Sequence, residues 1–421
     1  MTSHQVQLLF ADFALILLLA RGLGRLAVWV KQPPVVGEIL AGILLGPTLL
    51  NGAVSKALFP SDIRPLLSGM ANIGVALFMF IVGLEIETHT LRGQGRITAA
   101  AAVGSTVVPF LLGIGLAFQL ERSYPSSQHV AFVVFIGLSV SVTAFPVLAR
   151  ILSDRGLSRT TLGGIALATA AVVDVVAWTA LAAVQASAGG QAGEHWLVAL
   201  IVPYGVVMFV VVRPLLRRIL LPAGRKPGLT PQRFAVVLIG ALLSAAATEA
   251  MGMHFIFGAF MFGLVMPREG AAQLRAEVTA DTGHVTSLLL PFYFVVAGLQ
   301  VNLNGVGLSG VGQILLIMLV AVVGKFGGTY FAARSQKLPP RPAAALGALM
   351  NTRGLTELVI LGIGLQLGLL NSTLYSLLVV MALVTTAMTG PLLARIYAKP
   401  VEVAPPAEQP EPAVVGAGST R

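Results

Sequence analysis

Long apolar stretches recur along this chain, and short polar connections separate them. A helix needs about 20 mostly apolar residues to cross the roughly 30 Å hydrocarbon core of a bilayer. The pattern therefore predicts an all-α polytopic membrane protein with about thirteen transmembrane helices, of which the second and ninth are short and rich in glycine. The expected spans are 5–26, 34–50, 67–87, 97–119, 128–152, 160–187, 196–220, 232–250, 254–267, 285–299, 311–333, 342–368 and 373–397.

The composition agrees with a protein that spans a lipid bilayer. Hydrophobic residues make up 56% of the chain and charged residues only 10%, whereas soluble domains carry about 25% charged residues. Cysteine is absent, which excludes a disulfide framework and a thiolate metal site. The mean hydropathy is +0.88, so the lipid bilayer is the first expected partner.

The basic residues predict the orientation of the chain in the membrane. The net charge is +10, but most Lys and Arg lie in loops that share one side if the N-terminus is outside and the C-terminus cytoplasmic. This spread leaves no basic patch for nucleic acid. Arg outnumbers Lys, and Ala and Gly are abundant, which favours a bacterial gene and hence the bacterial inner (plasma) membrane.

The proline-rich residues 399–421 are expected to be a disordered cytoplasmic tail after a transport domain at 1–398.

Two pairs of similar segments indicate an internal repeat. Gly42–Pro47 resembles Gly258–Pro267, and Phe78–Ile86 resembles Phe292–Val301, both at an offset of about 215 residues. This offset corresponds to seven helices, and an odd number reverses the direction through the membrane. Spans 1–6 and 8–13 are therefore predicted to be inverted six-helix repeats, with the seventh span as a connector. Secondary transporters often have this plan, with their sites near the midplane on broken helices.

Spans five and twelve occupy matching positions in the two repeats, and both are predicted to be broken. Span five contains Ser139–Pro146, in which Pro146 removes a backbone donor. Span twelve contains Met350–Glu357, in which Gly354 loosens the helix among several polar side chains. Unwound backbone at membrane depth is tolerated only where it is buried or lines a cavity. Its carbonyl groups can coordinate a dehydrated monovalent cation.

Asp174 is a carboxylate inside an otherwise almost entirely apolar span. Such a residue costs roughly 2.5–3.5 kcal/mol on insertion scales, so a functional site is the default interpretation. A cation, a proton or a basic partner is needed to offset the cost, and Lys325 and Arg353 are the basic residues within other spans. Arg353 and Glu357 are four residues apart and are predicted to form a structural ion pair that steadies the broken helix with Asn351, with ion gating as the alternative.

Five segments resemble the monovalent cation:proton antiporter superfamily, and in particular its Kef-type and plant cation/proton exchanger branch. They are Thr143–Leu152, Ala170–Trp178, His254–Pro267, Gly324-Lys325 and Met350–Val359. The resemblance extends in order over about 34–397. It implies thirteen helices, a homodimer, and a mobile core that moves against a dimerisation scaffold. The core would comprise about 97–187 and 311–397, the scaffold about 5–91 and 232–303, and the connector 196–220.

The resemblance also implies a function. Asp174 falls on the ion-binding aspartate of the family, Thr143 on the unwound helix beside it, and Lys325 on the basic residue that faces the aspartate in many members. The chain is then a secondary active antiporter of elevator type, in which a monovalent cation (Na⁺ or K⁺) and a proton compete for Asp174. Ser139 and Ser141 join Thr143 as expected ligands, and no cofactor is expected.

Val173 departs from the family pattern, which has Asp or Asn before the aspartate. Two aspartates are associated with electrogenic two-proton exchange, and a single one with electroneutral exchange. The lone carboxylate therefore predicts about one proton per cation.

Other interpretations stay open at this point. Asp174 can be a structural partner of Lys325, and a structural role for Lys325 competes evenly with a transport role. Ser139, Ser141 and Thr143 can simply satisfy backbone groups that Pro146 leaves free. The same fold can also form an uncoupled cation channel or uniporter, whereas a non-transporting sensor is disfavoured. A hydrolytic enzyme has no support, because no nucleophile with a convergent base is recognisable.

Overall fold

The computed structural model describes residues 3–48, 52–60, 63–85, 95–157, 160–188, 200–221, 228–251, 254–268, 270–304 and 306–397. Within these ranges the chain forms helices and no β-strand. The predicted tail at 399–421 lies outside the described residues. The helices are α1 (Ser3–Trp29), α2 (Pro34–Leu45), α3 (Ala53–Leu58), α4 (Arg64–Glu85), α5 (Gly95–Glu121), α6 (His129–Ser141), α7 (Phe145–Asp154), α8 (Thr161–Ala188), α9 (Ile201–Val207), α10 (Arg213–Leu220), α11 (Pro231–Ala250), α12 (Phe255–Val265), α13 (Ala272–Leu299), α14 (Leu308–Val322), α15 (Gly328–Ser335), α16 (Pro340–Met350), α17 (Leu355–Gln366) and α18 (Ser372–Ile396).

The helices confirm an all-α polytopic membrane protein. In the described part of the chain, eight helices are long and apolar enough to cross a bilayer. The pair α16 and α17 adds a ninth candidate, bent by 41° at its break, and α2, α6 and α12 are shorter apolar helices. Twelve of the thirteen predicted spans overlap one of these helices or the pair. The seventh, 196–220, corresponds to α9 and α10 with the turn between them, and the exact number of thirteen crossings stays a prediction.

Two of the predicted spans continue through a single π-helical turn. Met208–Val212 joins α9 to α10, and Val323–Gly327 joins α14 to α15. A π-helical turn inserts one residue into a helix and is frequent at functional sites. The second of these turns contains Lys325.

The helix α13 begins earlier than its hydropathy predicts, at Ala272 and not near 285. Its first turns contain the charged residues Arg275 and Glu277, so hydropathy alone does not predict that the helix begins there. Arg275 donates a hydrogen bond to the Leu84 carbonyl at the end of α4, and so ties this polar extension to its neighbour. The helix extends beyond the apolar stretch because its backbone hydrogen bonds do not require a lipid environment.

The helices pack in two groups. We call α1, α2, α4, α11, α12 and α13 the scaffold group, because these helices make their main contacts with one another. We call α5–α8 and α14–α18 the core group on the same criterion. Far fewer contacts join the groups; one is an edge-to-face contact at 5.9 Å between the rings of Trp178 in α8 and Phe257 in α12.

Glycine pairs let the helices of the scaffold group approach closely. A Cβ atom on Gly42 would lie 2.8 Å from the Cα of Gly298, which brings α2 onto α13. A Cβ atom on Gly83 would lie 3.2 Å from the Cα of Gly263, which brings α4 onto α12. Small residues at helix crossings give the backbone contact that holds membrane helices together.

Candidate ion-binding site at two broken helices

The first broken helix consists of α6 and α7. The helix α6 ends at Ser141, Val142 is extended (φ −73°, ψ 149°), and α7 begins at Phe145. Pro146 is the second residue of α7, where the missing N–H costs little because first-turn donors have no helical acceptor. The side chain of Pro146 lies outside the described part of the structure. The break leaves carbonyl groups at the end of α6 and N–H groups at the start of α7 available.

The second broken helix consists of α16 and α17, and it hydrogen-bonds to the first. Residues 351–354 separate its two halves. Thr143 Oγ1 donates to the Met350 carbonyl at 2.9 Å, and the Ala144 N–H donates to the Thr352 carbonyl at 3.0 Å. The two breaks therefore meet, and they satisfy part of each other's backbone.

Asp174 lies at the centre of α8, and its side chain faces the start of α7. The residue is only 2% exposed. Its carboxylate accepts a hydrogen bond from the Phe145 N–H, the first N–H of α7, where the helix dipole is positive. The other oxygen, Oδ1, has no hydrogen-bond partner. A buried carboxylate with one occupied and one free oxygen can accept a proton or a cation at the free one.

Arg353 lies against the end of α6, where the helix dipole is negative. Its Nη1 donates to the Ser139 carbonyl at 2.8 Å, and its Nη2 to the Val140 carbonyl at 2.5 Å. Arg353 Nη1 also forms the predicted ion pair with Glu357 Oε2 at 2.7 Å, with both side chains fully buried. One guanidinium group thus joins the end of α6 to the start of α17.

Lys325 satisfies two carbonyl groups that helix geometry leaves without a donor. Ser105 would receive its helical hydrogen bond from residue 109, but Pro109 has no N–H. Lys325 Nζ donates to this carbonyl at 2.9 Å and also to the Ser141 carbonyl at the end of α6. Among the described residues, no ion pair within 4.0 Å joins Lys325 to Asp174. The charge of Lys325 therefore acts on Asp174 across space, without direct contact.

The predicted ligand side chains surround the first break, but their hydrogen bonds go elsewhere. Ser139 Oγ donates to the Ile136 carbonyl and Ser141 Oγ to the Leu138 carbonyl, each at 2.9 Å within α6. Thr143 binds the second broken helix. Asn351 is 1% exposed and its Oδ1 has no hydrogen-bond partner.

Sequence reasoning missed three groups that shape this site. The Phe145 N–H donates to Asp174, and the Ser105 carbonyl accepts from Lys325. The hydroxyl of Thr386 binds the backbone of Arg353. Pro109 was a usable signal, because a proline inside a membrane helix frees a carbonyl one turn earlier. The adjacent Thr385 and Thr386 in the apolar α18 were another.

A cavity of about 220 Å³ lies between the scaffold and core groups. Asn72, Tyr293 and Gln300 line its scaffold side. Leu358 and Gln366 of α17 line its core side, and Leu358 directly follows the buried Glu357. Water and ions therefore have space along the boundary of the groups, up to the first turn of α17.

The chain matches the family model described as "Sodium/hydrogen exchanger, transmembrane" over residues 14–399. It is 38% identical over 411 residues to the Na(+)/H(+) antiporter NhaS4 of Synechocystis, covering 95% of this chain and 100% of that protein. It is also 38% identical over 409 residues to Cation/H(+) antiporter 20 of Arabidopsis thaliana, covering 93% of this chain and 48% of the relative.

A fungal relative is similar in the same way. The chain is 31% identical over 383 residues to K(+)/H(+) antiporter 1 of Saccharomyces cerevisiae, covering 87% of this chain and 44% of the relative. The chain therefore spans about half the length of the plant and yeast relatives.

The fold is similar to that of a solved structure. The sodium proton antiporter MjNhaP1 from Methanocaldococcus jannaschii superimposes with a TM-score of 0.70, covering 94% of this chain and 97% of that one. The identity is 14%, so this likeness concerns the fold alone.

Proposed function

This chain belongs to the sodium/hydrogen exchanger family, whose members are transporters and not enzymes, and we propose that it exchanges Na⁺ or K⁺ for H⁺. The observation that carries the proposal is Asp174, a buried carboxylate with an unpartnered oxygen that faces the break between α6 and α7. Relatives named as Na⁺/H⁺ and K⁺/H⁺ antiporters support the substrate class.

Exchange follows from competition for one carboxylate. Asp174 holds either a proton or a cation, since both neutralise the same charge and both use Oδ1. Carbonyl groups of the breaks and the oxygens of Ser139, Ser141 and Thr143 complete the shell of a dehydrated cation. Val173, beside Asp174, is apolar and 1% exposed, so the site has a single carboxylate and exchanges about one proton per cation.

Alternating access comes from movement of the core group against the scaffold group. The cavity at their boundary and the small number of contacts across it favour this elevator-type movement. The helix pairs that carry the glycine crossings, α2 with α13 and α12 with α4, correspond to each other under an inverted repeat, which supports that plan. The protein works as a homodimer in a bacterial inner membrane, with the N-terminus outside and the C-terminus in the cytoplasm.

Exchange by purified protein in liposomes tests the proposal. A dye inside the vesicles reports the proton movement that added Na⁺, K⁺ or Li⁺ causes. Asp174→Asn should reduce this movement to the background of protein-free vesicles, because it removes the charge that proton and cation share.

Asp12→Asn is the matched control. Asp12 is also a buried carboxylate in a membrane helix, 1% exposed, with an unpartnered Oδ2, but it lies in the scaffold group. We expect it to retain exchange. Undiminished exchange by Asp174→Asn would refute the proposed site.

The same vesicles determine the stoichiometry. With the membrane potential clamped at different values, one-for-one exchange should run at a constant rate, because no net charge crosses. A rate that follows the potential would contradict a single proton per cation. Cation flux without proton movement would identify the channel alternative.

A further inference from the structure

Thr386 binds both polar groups of one residue in the second break. Its Oγ1 accepts a hydrogen bond from the Arg353 N–H at 2.9 Å and donates one to the Arg353 carbonyl at 2.7 Å. Thr386 belongs to α18 and is 2% exposed. A single hydroxyl therefore fixes the backbone of Arg353 at the point where no helix does so.

The other threonines of this part of α18 behave differently. Thr385 Oγ1 donates to the carbonyls of Met381 and Ala382, and Thr389 Oγ1 donates to the Thr385 carbonyl, all within the same helix. This back-bonding is the ordinary fate of a threonine inside a helix. Thr386 instead directs its hydroxyl to a neighbouring segment.

The contact of Thr386 leads to Asp174 in a few steps. The position of the Arg353 backbone determines where its guanidinium group lies. This group donates to the Ser139 and Val140 carbonyls at the end of α6. The preceding residue, Thr352, accepts the Ala144 N–H in the first break. Ala144 directly precedes Phe145, whose N–H binds Asp174.

We propose that Thr386 is a positioning residue for exchange, which sets the geometry of the cation shell at the crossing without touching the ion. The inference rests on the proposed exchange at Asp174. It assigns a role in transport to α18, which carries none of the expected ligands. A shell of fixed oxygens binds a dehydrated cation well only if its members keep their places. A proton on Asp174 needs one oxygen and depends on that geometry much less.

Thr386→Val tests this role, since valine has the same shape and no hydroxyl. We expect the KM for the cation to rise roughly tenfold, well below the roughly 100-fold cost of a 1 Å misplacement, with kcat nearly unchanged. Because proton and cation compete, the acid limb of the pH profile at fixed cation should shift to higher pH, by up to about one unit. Thr386→Ser keeps both hydrogen bonds and should restore the KM and the pH profile.

Thr385→Val is the matched control, because Thr385 is equally buried and binds only its own helix. It should leave the KM and the pH profile unchanged. If Thr386→Val does not fold, Thr386→Cys replaces it: the thiol is a weak donor and acceptor, and its KM should exceed that of Thr386→Ser.

The outcomes separate this inference from the proposed function. If Asp174→Asn abolishes exchange but Thr386→Val keeps the wild-type KM and pH profile, the positioning role is refuted and the site stands. An equal rise of KM in Thr385→Val would also refute it, because the effect would then follow from any lost hydroxyl in α18. If Asp174→Asn exchanges normally, the proposed function itself fails.

Discussion

The scaffold and core groups are each built around helix crossings, but different forces hold these crossings together. In the scaffold group, Gly42 meets Gly298 and Gly83 meets Gly263, so backbone lies on backbone. In the core group, broken helices cross through hydrogen bonds, and the Arg353 side chain that donates some of them is also paired with Glu357 of its own broken helix. In lipid no hydrophobic effect drives helices together, so helices associate through close packing and polar contacts. Close packing makes a rigid support, while broken helix ends offer groups that can bind an ion.

In both groups a proline leaves a helical carbonyl without its donor, but different side chains bind that carbonyl. Pro291 in α13 leaves the Ser287 carbonyl without its helical donor, and the exposed Arg21 binds it at 2.9 Å. Pro109 in α5 leaves the Ser105 carbonyl free, and the fully buried Lys325 binds it at 2.9 Å. The scaffold places its charge in reach of solvent. The core places its charge in a medium of low dielectric, where it acts strongly on other buried charges.

Removal of Arg353 should have the largest effect on stability. Arg353→Met leaves Glu357 as a buried unpaired carboxylate, which costs about 3–5 kcal/mol, and it releases the carbonyls at the end of α6. We expect a large loss of thermal stability in detergent and loss of exchange.

The double variant Arg353→Met with Glu357→Met is the control. It removes both charges, so stability should recover much of the loss while exchange stays low. Equal stability of the single variant and the wild type would show that the crossing does not depend on the ion pair.

A methyl group at a scaffold crossing should have the next largest effect. A Cβ atom on Gly83 would lie 3.0 Å from the carbonyl carbon of Phe260 and 3.2 Å from Gly263 Cα. Gly83→Ala should therefore destabilise the protein by about 1–3 kcal/mol through overpacking, as measured by thermal unfolding.

Gly69 provides the matched control on the same helix, since nothing lies within 4 Å of an added Cβ there. Gly69→Ala should be neutral or stabilising by up to about 1 kcal/mol, because alanine favours a helix. An equal loss of stability in Gly69→Ala would show that the loss in Gly83→Ala does not come from the crossing.

Lys325 and Arg21 each donate to a carbonyl that a proline leaves without its helical donor. Removing either side chain should have the smallest effect on the two groups. Lys325→Met should cost about 1–3 kcal/mol, because buried carbonyls of Ser105 and Ser141 lose a donor. Exchange should remain and should still require Asp174, which accepts its hydrogen bond from the Phe145 N–H. The measurements are thermal unfolding and proton movement in vesicles.

Arg21→Met is the counterpart in the scaffold group and should cost less than about 1 kcal/mol, because water can replace the exposed guanidinium. A folded Lys325→Met protein without exchange would assign Lys325 a direct part in transport and overturn the structural role.

Much of the architecture was predictable from local pattern. Apolar length predicts the spans, and Pro146 and Gly354 predict the two breaks, because both act on the backbone of their own segment. The spacing of Arg353 and Glu357 by four residues puts them on one helix face, and the ion pair forms there. Asp174 stands out because a charge inside an apolar span is costly wherever its partners lie.

The partners of these groups were not predictable in the same way. Lys325 and Ser105 are 220 residues apart, and Thr143 and Met350 are 207 apart. The resemblance implied that Lys325 faces Asp174, but it did not indicate that the nitrogen of Lys325 donates to two carbonyl groups. Nothing in the local pattern ranks one buried acceptor over another, since the choice depends on which backbone groups the packed helices leave without a donor.

The sequence by itself therefore determined the helices, the places where they break and a carboxylate, Asp174, that needs a counter-ion. Each of these follows from the cost of exposing a polar group or an unpaired N–H to lipid, which a residue carries with it along the chain. Only the tertiary structure decided that the two breaks meet, that the start of α7 faces Asp174, and that Thr386 holds Arg353. Those contacts depend on directions and distances of a few ångströms between segments far apart in the chain, and hydrogen bonds form only where both are right.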